Sequence, residues 1–180
     1  EAVQENRARA AAAFGAPPGR LLTCYQIHSA VAVVADQAWR ERPEADAVAS
    51  GAAGLMLGAL AADCAPVLLA DPAAQVIGAA HAGWKGAHGG VLEATLDAME
   101  KLGAARGRIH AVVGPCISQE NYEVNWEFRD RFLELGLRNR AFFTPSDKEG
   151  HYRFDLEDYA HQRLMAAGLS LRGLSLVTIT

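Results

Sequence analysis

Cysteine is scarce in this chain. Cys24, Cys64 and Cys116 are spread over 180 residues, an odd number without short pairwise spacing, which argues against a disulfide-stapled scaffold in a domain this large. Long apolar runs are missing as well. Asp36, Asp63, Asp71, His81 and Lys85 interrupt the hydrophobic middle, so no stretch approaches the roughly 18 residues of a membrane-spanning helix. The chain opens without the basic start and apolar core of a signal peptide, so the reading is a soluble, cytoplasmic protein with no membrane partner. Basic clusters are absent too: 17 Lys and Arg are scattered against 21 Asp and Glu, for a formal net charge of -4. That leaves no positive stripe for nucleic acid, whereas an anionic small molecule needs only one or two local cations. No repeat, low-complexity tract or sharp compositional break marks a second domain.

What is present is apolar sequence in quantity, 51% of the chain, enough for one sizeable core. The pattern predicts a single layered α/β domain over 1–180, with a mixed, largely buried sheet flanked by helices. Residues 1–15 are alanine-rich with charges at helical spacing and stop at Gly15, Pro17 and Pro18, which predicts a helix and its end. Residues 21–35 are rich in strand formers but broken near His28 and Ser29, predicting two strands or one bent strand. The stretch 39–54 turns polar, then small and glycine-bearing, and reads as a surface excursion. Strands are predicted over 55–61, 66–70, 76–80 and 108–114, their near-continuous apolar character implying cover on both faces. Helices follow over 85–102, 125–136 and 155–168, the last capped by Asp155, with extended pieces around 142–154 and a final strand over 174–180.

His28, Cys64 and His81 each adjoin an apolar strand candidate, where α/β sheets gather ligands from different strands in one crevice. Their wide spacing is unlike a zinc finger, whose ligands come in close pairs. It suits a site prebuilt by a sheet. Two imidazoles and one thiolate make three ligands, the number catalytic zinc sites use when a fourth position is kept for water or substrate. Each residue also has a plain reading as a buried or hydrogen-bonded structural group. Cys24, mid-strand, reads as simply buried, and His88 as structural or supporting. Asp63, directly before Cys64, would orient an imidazole or accept a proton, or else end a strand at the surface.

The turn HAGWKGA places backbone amides from Gly83 onward at a helix start, a place for an anion to which Lys85 adds a charge. A glycine-bearing turn is also simply how a strand meets a helix. GPCISQENYEV follows a predicted strand; Cys116 there could face the crevice, and Tyr122 offers an aromatic face to a planar ligand.

Taken together, QIHSA, ADCAPVLLAD, HAGWKGA and GPCISQENYEV, with FDL and RLMAAG further on, resemble the multicopper polyphenol oxidase or laccase-domain family, whose members are regarded as purine nucleoside phosphorylases. The resemblance implies one α/β domain with a catalytic zinc on His28, Cys64 and His81. It also implies phosphorolysis of adenosine, inosine, guanosine and methylthioadenosine, together with adenosine deamination. The partners implied are a purine nucleoside and phosphate. Lys85 stands where the family usually has Arg, exchanging a two-pronged phosphate grip for a point charge. The N-terminal strands and the C-terminal segment of the family are expected to be missing from this stretch. The older family name points to copper, for which two His and one Cys are also a natural trigonal set. Six histidines are too few for an oxygen-reducing multicopper centre once two are used. Two other readings stay open: a metal-free cysteine hydrolase with Cys64 as nucleophile and His81 as base, and a structural zinc clip closed by Cys116.

Overall fold

The computed structural model of the chain describes residues 1–170 and 173–176. Helix α1 (Ala2–Ala13) stops as its sequence predicts, with Gly15 at φ 70°. Strands β1 (Leu21–Leu22) and β2 (Ala32–Val34) carry the predicted break between them. Strand β3 (Ala47–Ser50), wholly buried, corrects the reading of 39–54 as surface. Alanine-rich, it is too weakly hydrophobic to stand out, yet small side chains suit a crowded sheet interior. Strand β4 (Met56–Leu57) is all that forms of the strand predicted over 55–61. Strands β5 (Ala65–Asp71) and β6 (Val76–Ala82) form a hairpin. The Asp71 carboxylate closes its turn by accepting from the amides of Ala73 and Ala74.

The helix predicted over 85–102 is two helices, α2 (Trp84–Gly89) and α3 (Val91–Lys101), because Gly90 takes φ 100° between them. Next come β7 (His110–Val113), β8 (Glu123–Asn125), α4 (Trp126–Leu135), β9 (Phe143–Pro145), β10 (His151–Phe154), α5 (Leu156–Ala166) and β11 (Leu174–Leu176). Asn125 caps α4 by accepting from the Phe128 amide, and Asp155 caps α5 by accepting from Asp158. The last predicted strand is present over its first three residues; 177–180 lie outside the described residues.

The main sheet has the order β11-β7-β5-β6-β3-β2, parallel at its two outer pairs and antiparallel between. It is the predicted mixed sheet. Its first face packs on α3 and α5 around Leu92, Leu96, Met99 and Leu164, continuous with an aromatic group of Phe132, Phe154 and Tyr159. The second face is covered over β3 and β6 by Leu22, Cys24, Ala35 and Leu55. Over β5 it is open: Leu68 is 53% exposed between buried Val67 and Leu69. This corrects the expectation of cover on both faces, since a continuous apolar run also fits a strand with one open face. The hairpin register sets Ala65 opposite Ala82, which carries Cys64, one residue earlier, to the level of Gly83.

Candidate metal centre

Three pieces of chain meet at this end of the hairpin. His81 is the penultimate residue of β6 and is buried; Cys64 directly precedes β5 and is half-buried; His28 lies in the exposed connection from β1 to β2. One ligand atom from each, two imidazole nitrogens and a sulfur, lies within 4.8 Å of the others. The Cys64 Sγ to His28 Nε2 separation is 3.7 Å and the two imidazole centroids are 4.9 Å apart. Donors about 2.0–2.3 Å from a tetrahedral ion sit roughly 3.5 Å from each other, so the sulfur and the His28 nitrogen are spaced as two ligands of one ion. Two nitrogens and a sulfur are a donor set that zinc and copper both accept. Among the described residues no fourth His, Cys, Asp or Glu, Cys116 included, belongs to this cluster.

The site is held from beneath by Asp46, which the sequence reading placed in a surface stretch. Its carboxylate accepts from His81 Nδ1 at 2.8 Å. That fixes the neutral ring as the Nδ1–H tautomer and leaves Nε2 to an ion. Burial alone would raise the Asp46 pKa, but the bonds from His81, Ser29 and Ile27 outweigh it and hold the group below the ordinary carboxylate value. The Cys64 thiol is pushed up, first by burial and then by the charges of Asp63 and Asp46. Thiol nucleophiles rely on neighbours that lower this value, whereas Asp63 and Asp46 act in the opposite direction on Cys64.

The glycines of HAGWKGAHGG serve packing. A Cβ on Gly83 would meet Cys64 Sγ at 2.7 Å and His28 Cδ2 at 2.9 Å; one on Gly86 would meet the Ser29 carbonyl at 2.9 Å; one on Gly89 would meet Ala30 Cβ at 3.3 Å. The bare face of α2 is therefore the bed on which residues 28–30 lie. Helix α2 has only six residues. Exposed Lys85 keeps its Nζ 5.7 Å from the centroid of the Trp84 ring.

The remaining predicted residues fall as follows. Asp63 is exposed, and its backbone carbonyl accepts from the Ile117 amide; the carboxylate on His81 is that of Asp46. The Cys116 thiol is pushed up to about 12 by burial, then by Glu157 and Asp155. Tyr122 is pushed up to about 12 by burial, then by Cys64 and Asp63, and its ring packs edge-on against Phe154. Cys24 is buried, its Sγ 3.6 Å from the Ala47 carbonyl. His88 Nε2 lies 3.1 Å from the Arg131 carbonyl, a structural contact. A groove of about 770 Å³ lined by His88, Phe142, Tyr159 and Arg163 opens elsewhere and includes none of the three ligands.

A sequence profile described as multi-copper polyphenol oxidoreductase laccase matches residues 1–180. The chain belongs to this laccase family. Within the family it is 42% identical over 170 residues to a Deinococcus radiodurans protein named purine nucleoside phosphorylase, covering 93% of this chain and 64% of that protein. It is 39% identical over 149 residues to a Rickettsia conorii protein of the same name, covering 83% of this chain and 61% of the relative. The chain thus spans less than two thirds of the length of both. Among solved structures, Bacillus licheniformis YfiH superposes with a TM-score of 0.87 at 27% identity, covering 97% of this chain and 69% of that one. A Neisseria meningitidis protein superposes at 0.86 and 32% identity, covering 99% and 69%. Among the described residues no helix is long and apolar enough to cross a membrane.

Proposed function

We propose that this laccase-family chain carries the ion site of a zinc-dependent purine nucleoside phosphorylase, with His28, Cys64 and His81 as the metal ligands. The observation that carries the reading is the convergence of two imidazoles and one thiol, in a chain whose named relatives are purine nucleoside phosphorylases. The substrates would be adenosine, inosine, guanosine or methylthioadenosine with phosphate, and adenosine deamination would be a second reaction at the same place. Bound zinc would supply a Lewis acid that polarises oxygen and lowers the pKa of water to about 7.

The chain's own groups supply the rest. In phosphorolysis a phosphate oxygen bonds to ribose C1′ while the bond from C1′ to the base breaks, and the base leaves carrying a proton. Lys85, exposed in the first turn of α2, would neutralise phosphate as a point charge. Tyr122 has a phenol held protonated at neutral pH and would donate a hydrogen bond to the nucleoside, with Gly83, Asp63 and Cys116 lining the approach. Copper is the competing occupant, since the same donor set binds it more tightly than zinc.

The test is release of hypoxanthine from inosine by the protein at its full family length, metal-loaded and chelator-stripped, with and without phosphate. Release should require both metal and phosphate. Base release without phosphate, or undiminished after stripping, would refute the reading.

A further inference from the structure

The Asp46 side chain is completely buried and pairs with the His81 imidazole. Its two oxygens accept five hydrogen bonds. Oδ1 takes the His28 amide at 3.0 Å and His81 Nδ1 at 2.8 Å; Oδ2 takes the Ile27 amide at 3.2 Å, the Ser29 amide at 2.6 Å and the Ser29 hydroxyl at 2.8 Å. A single oxygen atom therefore joins the backbone of one candidate ligand to the ring of another. His28 itself stands at φ 60°, a conformation that residues other than glycine seldom adopt unless their surroundings impose it. The amides on either side of that strained residue are the ones Asp46 holds, while Gly83 and Gly86 support the same segment from below.

We infer that Asp46 is the positioning residue that assembles the ion site, tying the His28 loop and the His81 imidazole to one carboxylate so that both nitrogens reach the ion together. The inference rests on the reading that His28, Cys64 and His81 bind a metal. It assigns Asp46 two jobs. It holds the proton of His81 on Nδ1, so that Nε2 presents a lone pair, and it makes the place of His28 depend on the same group. Cys64, the residue before β5, is placed by the hairpin register rather than by a hydrogen bond to Asp46.

The test uses the purified chain stripped of metal, titrated with zinc against a chromophoric chelator and, separately, with Co2+ followed by absorption. Asp46→Asn keeps the volume, but an amide cannot accept from all five donors. Zinc binding should weaken about 10- to 100-fold, the usual effect of losing a carboxylate behind a ligating histidine. The Co2+ complex should keep its thiolate charge-transfer band while its ligand-field bands change, as expected when imidazole is lost and sulfur stays. Ser29→Ala, which removes one bond of the five, should weaken zinc less. A merely structural role would instead lower the melting temperature of the metal-free protein and leave the zinc affinity of the folded fraction within threefold of the wild type; that outcome overturns the inference. Should Asp46→Asn not fold, nitrogen NMR of the metal-free wild type decides: the Nδ1–H tautomer of His81 supports the assignment and Nε2–H overturns it. A wild-type chain that binds no zinc would sink the metal reading itself, whereas wild-type binding matched by Asp46→Asn sinks only this inference.

Discussion

Gly83→Ala isolates the demand that an ion site makes on the backbone beneath it. Gly83 has φ -68° and ψ 163°, which alanine adopts freely, and as a helix N-cap the change costs under about 1 kcal/mol. The new methyl, however, would stand 2.7 Å from Cys64 Sγ and 2.9 Å from His28 Cδ2. Ordinary contact begins near 3.5 Å, so the sulfur must retreat by about 0.8 Å and the ring by about 0.6 Å. Ligand distances at a metal site tolerate only about 0.2 Å. The fold should therefore survive while zinc binding weakens by at least about 100-fold, or about 2.7 kcal/mol. Chelator competition measures the affinity, and circular dichroism with a thermal melt of the metal-free protein measures the fold. Gly103→Ala is the control, because its methyl would meet nothing within 4 Å and the strain of φ 98° is confined to a turn far along the chain. Zinc affinity of Gly83→Ala within threefold of the wild type would refute the reasoning.

Cys64→Ala should abolish both bound zinc and turnover, whereas Cys24→Ala, buried with Leu22, Ala35 and Leu55 on the second face of the sheet, should cost about 1–2 kcal/mol of stability and leave zinc untouched; equal zinc losses would show that the wrong cysteine has been assigned. Lys85→Ala should raise the KM for phosphate about 10-fold with zinc content unchanged, since one charge-assisted bond is lost, and an unchanged phosphate KM would remove Lys85 from the site. Asp71 is buried. That alone would raise its pKa, but the amide of Ala105, the guanidinium of Arg108 and the amide of Ala74 hold it at about 2, below its ordinary 3.8. A depressed carboxylate stabilises the fold above its unfolded value and loses that contribution as pH falls. The melting temperature should thus drop between about pH 4 and pH 2, and Asp71→Asn should flatten that drop; an unchanged slope would contradict it.

The residues of the candidate site were legible to different degrees, for physical reasons. His28, Cys64 and His81 stood out because each polar side chain adjoins an apolar run that had to be a strand, and the antiparallel hairpin then brings 64 and 83 level. Asp46 was hidden. Its surroundings, Pro43, Glu44 and Ala45 before and Ala47 after, read as exposed chain, because a strand built of Ala47, Val48 and Ala49 carries little hydrophobic signal. The usable clue was a lone carboxylate abutting small apolar residues, since such a charge is tolerated in a core only with partners. The glycines after His81 have the composition of an anion-binding turn as much as of a packing face, and only the position of the 28–30 segment distinguishes the two. Helix α4, from its periodicity, and helix α5 with its Asp155 cap were legible because both signals are local; the Asn125 cap of α4 went unread. The open face at Leu68 was not, because which neighbours cover a strand is decided by distant chain.

X-ray absorption at the zinc edge on the zinc-loaded chain tests most directly whether His28, Cys64 and His81 share one ion. A shell of one sulfur near 2.3 Å with two imidazole nitrogens near 2.0–2.1 Å and one further light atom is the expected result. A shell without sulfur, or with two sulfurs because Cys116 has joined Cys64, would contradict it.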